Sequence, residues 1–297
     1  MLVNDYLSYI RCELNLSVST VLCYERALNE WADFSTGSRP EELSPMDMTV
    51  SDLRLWVAHL ADKGLSPRSL RLKVQALRGF YKYLGKFHGA RSNPAAELPL
   101  AKLDAPLPVF VRESEMEKLL DEEKPGDFTS IRNTLILNLL YQTGIRCSEL
   151  IGLSDRKVDL AKGELKVLGK RNKERIVPFG ENLGEQIASY RSVREATVGK
   201  QSEMLFVRED GRPMSRNMVY RIVRTAMEQA GVTSPRKSPH VLRHTFATDM
   251  VANGADLVAV QKILGHTSLA TTQIYTHSSI KELTENYLKA HPRERNK

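Results

Sequence analysis

Four of the sixteen residues in NPAAELPLAKLDAPLP, positions 93–108, are proline, and no helical period survives across them, although long stretches on both sides carry one. Proline removes a backbone donor and fixes φ, so such a run is neither a helix interior nor a central strand. The chain is therefore expected to fold as two bodies, a domain over 1–92 and a second over 109–297, joined by a linker over 93–108. A length of 297 residues suits that division, because domains usually hold roughly 100 to 200 residues.

Ahead of the linker the pattern is all-helical. Helix starts are expected at Ser17 or Ser19, at Ser51 with Asp52, and at Ser66–Pro67, where a hydroxyl can cap free amides and proline suits the first helical position. In the helix after Ser66, Leu70, Val74, Leu77, Tyr81 and Leu84 fall in one apolar stripe at about 100° per residue, with Arg71, Arg78 and Lys82 on its flank. Between Lys63 and Ala96 there are eight basic residues and no acidic one. A merely solvated helix face usually mixes both signs to gain i,i+4 pairs. The one-sided run instead marks Arg68, Arg71, Arg78 and Lys82 as candidate contacts to DNA phosphates.

Beyond the linker the pattern is mixed. A leucine-rich helix over Ile131–Thr143 stops at Gly144, and the alternating segments ELKVL and ERIVP, joined by GKRNK, read as a β-hairpin. Further helices are expected after Ser215, Ser238, Asp256 and Ser268. The expected fold class is mainly α with a small β-sheet, an α+β chain with a helical N-terminal domain.

Composition narrows the partners. The chain carries 43 Lys plus Arg against 36 Asp plus Glu, a net charge of +7, most of it beyond the linker, which suits a polyanion. No run approaches the roughly 18 apolar residues of a membrane span, and Asp5, Arg11 and Glu13 spoil a signal peptide, so the expected location is cytoplasmic with no membrane partner. Cys12, Cys23 and Cys147 lack C-x-x-C spacing and suggest neither a disulfide framework nor a zinc site.

Several residues have chemistry to offer. In SPHVLRHTFATDM, Ser238 caps a helix, Pro239 opens it, and His240 sits in the first turn three residues before Arg243, on one face. Free amides and the positive helix end make that turn an anion site. His240 and His244 lack the acid or cysteine that would complete a metal site, and His244 is taken as structural. Arg146 follows the helix-stopping Gly144, and with Arg243 it offers two planar forks to one phosphate. Lys170 and Lys173 lie in the hairpin tip, where each is either a solvent-facing turn residue or a proton donor to an oxygen leaving group. Tyr275, in LGHTSLATTQIYTH, has an ordinary pKa near ~10 and needs nearby cations or a base to act as a nucleophile.

Together TGIRCSELIGL, LGKRNKERIVP, SPHVLRHTFAT and LGHTSLATTQIYTH resemble the tyrosine recombinase (phage integrase) family, most closely its Xer-type members, over residues 107 to about 290. The resemblance implies a helical core-binding domain followed by a catalytic domain of the tyrosine recombinase type, the two clamping duplex DNA. It also implies a catalytic set of Arg146, Lys170, His240, Arg243, His266 and Tyr275. Tyr275 would attack a DNA phosphodiester to give a 3′-phosphotyrosyl bond, with the arginines and His266 on the non-bridging oxygens. Lys170 would protonate the leaving 5′-oxygen and His240 would be the general base. Arg171 stands where the family often has glycine, which leaves Lys173 as an alternative proton donor.

The same resemblance implies that no metal, ATP or other cofactor is needed, because a phosphotyrosine conserves the bond energy. Implied partners are double-stranded DNA, a homo- or hetero-tetramer with a second recombinase on paired sites, and a septal DNA translocase, in chromosome dimer resolution. The tail after Tyr275 would contain a helix that docks on a neighbouring protomer, while the residues themselves show only that Leu283, Tyr287 and Leu288 form a short apolar seam. Three other readings stand beside this one. A mobile-element integrase or DNA invertase shares the chemistry, as does a type IB topoisomerase, and a non-catalytic DNA-binding regulator would keep only the clamp.

Overall fold

The chain divides into two units, Met1–Pro106 and Leu107–Lys297. The computed structural model describes residues 2–37, 39, 43–100, 109–120, 126–169, 174–199, 202–265 and 277–295, the side chains of 277–282 and 295 excepted.

The N-terminal unit contains the helices α1 (Leu2–Cys12), α2 (Val18–Thr36), α3 (Val50–Asp62) and α4 (Pro67–Phe87), and hydroxyl caps set α2, α3 and α4. Ser17 accepts from the Thr20 amide at the start of α2, and Ser66 from the Ser69 amide at the start of α4, where Pro67 takes the first position. At α3 the capping hydroxyl is Thr49 rather than Ser51. Thr49 accepts from the Asp52 amide while the Asp52 carboxylate accepts from the Thr49 amide at 2.8 Å, a reciprocal box that fixes the start two residues early.

The apolar stripe of α4 packs inward at Val74, Leu77, Tyr81 and Leu84, with Leu70 half-buried, against Trp31 of α2 and Trp56 of α3. The proline-rich segment begins inside this unit rather than as a linker. Pro94–Glu97 forms a short 3-10 turn, and Ala95 and Leu98 join the core. Arg78 holds it there, donating from Nε to the Ala95 carbonyl at 3.0 Å and from Nη2 to those of Ala96 and Leu98 at 3.0 and 2.7 Å.

The second unit contains α5 (Glu113–Leu120), α6 (Phe128–Thr143) and α7 (Cys147–Ile151), then a sheet of β1 (Val158–Asp159), β2 (Glu164–Leu168) and β3 (Glu174–Pro178). After it come α8 (Glu181–Val198), α9 (Arg216–Gln229), α10 (Pro239–Ala252), α11 (Leu257–Leu264), α12 (His277–Ala290) and α13 (Pro292–Arg295). The sheet is antiparallel in the order β1-β2-β3, and the expected hairpin is β2–β3, with Leu165 opposite Val177 and Val167 opposite Arg175. Helix α6 has no single apolar face, and every residue from Leu135 to Thr143 is buried, so it lies in the interior with α8 and α10 packed on it. Leu135, Ile136, Leu139 and Leu140 are all buried, each stabilising the unit by about 1.5–3 kcal/mol.

Ser215 and Asp256 cap α9 and α11 as their positions predict, and Ser238 precedes α10 without a side-chain bond. The helix expected after Ser268 lies outside the described residues. Cys147 is buried, whereas Cys12 and Cys23 are exposed. Among the described residues no helix is long and apolar enough to cross a membrane.

The apolar seam expected in the C-terminal tail is only partly exposed. Leu283, Tyr287 and Ala290 of α12, and His291 after it, are buried in the core of their own unit. Tyr287 stacks on His291 at 5.2 Å between ring centroids, and Tyr141 and Phe246 close on the same imidazole at 5.4 and 5.8 Å. This stretch of the tail is seated on its own chain because two rings fill an aromatic slot there. Leu288 of the expected seam points outward.

Gly144 ends α6 at φ 60, its amide donating to the Leu140 carbonyl at 3.1 Å. A Cβ at this position would lie 2.4 Å from Phe246 Cδ1 and 2.9 Å from Leu264 Cδ2. A left-handed non-glycine residue costs about 1 kcal/mol, and an overpacked methyl about 1–3 more. Gly144→Ala should therefore lower stability by roughly 2–4 kcal/mol, read as a lower urea midpoint in far-UV circular dichroism, and an unchanged midpoint overturns this account.

Candidate active site

The turn at Gly144 delivers Arg146 to the first position before α7. Three residues on, within the same short helix, Glu149 turns back toward it. Glu149 Oε2 accepts from the Arg146 amide at 2.8 Å and Oε1 from Arg146 Nη1 at 2.9 Å. Arg175 of β3 approaches the same carboxylate from the other side, donating from Nη1 to Oε1 at 2.7 Å and from Nη2 to Oε2 at 2.9 Å. Glu149 and Arg175 are both buried, at 7% and 5% exposure. The Arg146 side chain keeps 23% of its surface open.

From α10, buried Arg243 donates from Nη1 to the Gly144 carbonyl at 2.5 Å and from Nη2 to the Leu264 carbonyl at 2.6 Å. Arg175 Nε reaches the carbonyl of Ile263 at 2.6 Å, and Arg146 Nη2 that of Gly265 at 3.2 Å. Three arginines thus each take one of three consecutive carbonyls at the end of α11. A helix C-terminus leaves its last carbonyls unpaired and carries partial negative charge, so guanidinium groups satisfy both needs. Gly265, at φ 64, makes the approach possible, since a Cβ there would stand 3.1 Å from Arg175 Cδ. The next residue along the chain is His266.

Charge does not balance in this cluster, where among the described residues three guanidinium groups face a single carboxylate. Burial pushes Glu149 upward, but hydrogen bonds and charge from Arg175, then Arg146, outweigh it and hold the carboxyl below its ordinary range. Burial, followed by repulsion from Arg146 and Arg175, pushes Arg243 down to about 9. His240, in the first turn of α10 and open to solvent, has its imidazole held below the ordinary histidine range by partial desolvation and then by Arg243, Arg146 and Arg216. It is therefore neutral near pH 7 and able to accept a proton. Tyr220 meets its ring edge-on at 6.4 Å. The excess of positive charge suits an anion with several oxygens, and the part of the Arg146 side chain left open to solvent is where such an anion can approach.

Of the six catalytic residues expected from the sequence, Arg146, His240 and Arg243 share this one site. Lys170, His266 and Tyr275 lie outside the described residues, as does the alternative donor Lys173. His244, expected to be structural, is exposed on α10. Among the described residues no group of three His, Cys, Asp or Glu side chains is placed to hold a metal. On α4, Arg68 and Lys82 are exposed and Arg71 is half-buried, whereas Arg78 is committed to the carbonyls of residues 95, 96 and 98. Two site residues, Glu149 and Arg175, escape a reading of the sequence by motif. A signal for Arg175 exists, because strand alternation in ERIVP puts it on the face of Val177, where apolar residues belong.

By sequence pattern, residues 109–282 match the phage integrase family and residues 3–86 match the phage integrase N-terminal SAM-like domain. Tyrosine recombinase XerC of Chlorobaculum parvum is 36% identical over 317 residues, covering 98% of this chain and 94% of that protein. Tyrosine recombinase XerD of Staphylococcus aureus is 34% identical over 294 residues, covering 98% of this chain and 99% of the other. A XerH site-specific recombinase, solved on a palindromic difH substrate in a post-cleavage complex, shares the fold with a TM-score of 0.70 at 24% identity, covering 91% of this chain and 80% of that one. A family pattern spanning more than half of the residues, with relatives above 30% identity along nearly all of them, carries the conclusion that the chain belongs to the phage integrase family of tyrosine recombinases.

Proposed function

We propose that the chain is a site-specific recombinase that cuts and rejoins double-stranded DNA through a 3′-phosphotyrosyl intermediate on Tyr275. The observation that carries this reading is the uncompensated cluster of Arg146, Arg175 and Arg243 around Glu149, built on the helix end that immediately precedes His266. In the first step the Tyr275 phenol oxygen bonds to phosphorus as the bond from phosphorus to the 5′-oxygen breaks. Neutral His240 takes the phenol proton, and Lys170 gives one to the leaving oxygen. Arg146, Arg243 and His266 stabilise the non-bridging oxygens. The reverse step, with a 5′-hydroxyl from another strand, rejoins DNA and regenerates the phenol. Every bond broken is exchanged for another of the same kind, so the cycle needs no ATP.

The near full-length similarity to XerC and XerD proteins supports an Xer-type role, chromosome dimer resolution in the service of chromosome partition and cell division. That role brings assembly of four protomers on two sites, alone or with a second recombinase, activation by a septal DNA translocase, and a place in the cytoplasm. Mapping cleavage on the genome tests it. One site near the replication terminus supports resolution, and inverted repeats beside promoters support an invertase.

With a nicked suicide duplex carrying the target site, the wild-type protein should form a covalent protein–DNA adduct. Tyr275→Phe should abolish the adduct while leaving the DNA dissociation constant within about threefold, below one RT ln 10 step. An adduct that persists in the variant removes Tyr275 from the role. The rate of adduct formation at limiting DNA reports the free protein, so its acid limb should fall below the ordinary histidine value of about 6.5, as His240 must lose its proton to act. A limb at or above that value removes His240 as the base.

Neutralising Arg68, Arg71 and Lys82 together should flatten the slope of log K against log salt by about one unit for each phosphate these side chains neutralise in the wild type. Arg78→Ala should leave that slope nearly unchanged, because its guanidinium already serves three carbonyls. A slope that stays the same in the triple variant returns α4 to an ordinary solvated face.

A further inference from the structure

We infer that Arg175 is a positioning residue for strand cleavage, which keeps Arg146 available to the scissile phosphate by occupying Glu149 and tying β3 to the end of α11. Arg175 never reaches the phosphate in this reading. It is 5% exposed, and each of its three nitrogens donates inward, two to Glu149 and one to the Ile263 carbonyl. What it does is decide how Glu149 divides its attention.

A carboxylate with one arginine beside it forms a closed, two-pronged pair whose charges cancel. Here Glu149 Oε1 is shared between Arg146 Nη1 and Arg175 Nη1, and Oε2 between the Arg146 amide and Arg175 Nη2. Arg146 therefore gives Glu149 only one side-chain nitrogen, while its Nη2 lies on the Gly265 carbonyl and part of the group faces solvent. Without Arg175, Glu149 would turn its second oxygen to Arg146, neutralising the fork that should meet the phosphate. The bond from Nε to Ile263 adds a mechanical link between β3, five residues after Lys170, and the carbonyl three residues before His266. Glycine at 265 permits the close passage of the Arg175 stem, with a would-be Cβ 3.1–3.2 Å from its Cδ, Nε and Nη1.

The inference rests on the recombinase reading, and the experiment separates the two. Single-turnover adduct formation on the suicide duplex and the DNA dissociation constant are measured for the wild type, Arg175→Gln, Arg175→Lys and the double variant Arg175→Gln with Glu149→Gln. If the wild type forms no adduct, the recombinase reading fails and this inference with it. Given a wild-type adduct, Arg175→Gln should slow its formation about 10²-fold, the cost of misplacing a catalytic group by about 1 Å, while DNA binding stays within about threefold. Arg175→Lys restores the charge but not the fork and should fall between the two. The double variant removes the carboxylate that would capture Arg146 yet keeps an acceptor for the Arg146 amide, so it should regain at least about tenfold over Arg175→Gln. Folding is followed by circular dichroism on all four. Arg175→Gln folded and as fast as wild type overturns the inference, as does a folded double variant no faster than Arg175→Gln. If Arg175→Gln alone fails to fold, the double variant decides: folded and active within about tenfold of wild type supports the inference, and folded but inactive overturns it.

Discussion

Three guanidinium groups on three consecutive carbonyls, those of Ile263, Leu264 and Gly265, tie four separate parts of the second unit to one point. Arg146 comes from the turn after α6, Arg175 from the hairpin, Arg243 from α10, and the carbonyls from α11. No two of these are neighbours in sequence, so the cluster exists only once the unit has packed. The reason they meet is elementary: a helix that ends inside a protein presents unpaired acceptors, and arginine is the side chain that can satisfy one acceptor while keeping other donors free. Glu149 then holds two of the three arginines apart by bonding to both.

Such an assembly is costly to keep. Buried cations lose hydration, and the drop of Arg243 to about 9 measures how unfavourable its surroundings are for a charge. Packing around α6 offsets that cost, since its buried leucines and isoleucine anchor the helix that Gly144 caps, and that turn sets the geometry of the cluster. A site optimised for stability alone would carry another carboxylate. In the proposed mechanism the substrate phosphate supplies the negative charge, and a fixed deficit of this kind stabilises an anion without reorganisation when it arrives.

Much of this was legible in the residues. Proline after serine marked the starts of α4 and α10, alternation marked β2 and β3, and a glycine after a leucine-rich run marked the end of α6, because each signal is local and enforced by backbone sterics. Arg146, Arg243 and His240, which the structure brings to one site, were legible as a set only through their motifs. Glu149 and Arg175 were not, because their role depends on a pairing across 26 positions that no local rule encodes. The same limit explains Arg78, whose partners are 17 to 20 residues away, and the tail, whose aromatic slot is lined by Tyr141 and Phe246 from distant helices. Side chains with two physically sensible uses, a phosphate or a carbonyl, are decided by the fold.

The excess of positive charge has opposite effects on the two partners in proton transfer, and this orders the reaction. Cations favour a phenolate over a phenol, so the field that gathers phosphate oxygens also eases loss of a proton from any tyrosine brought to it. Partial desolvation, and after it the same field, disfavours imidazolium and keeps His240 in its neutral form. Alone, that histidine is ready to act but weakly basic. When a phosphodiester enters, its negative charge offsets part of the field and raises the basicity of His240 toward its ordinary value, just as the nucleophile and electrophile come together. In the proposed mechanism binding of DNA is thereby linked to the proton transfer that cleavage requires, and a tyrosine facing the empty cluster would have a poorer base than one facing a bound strand.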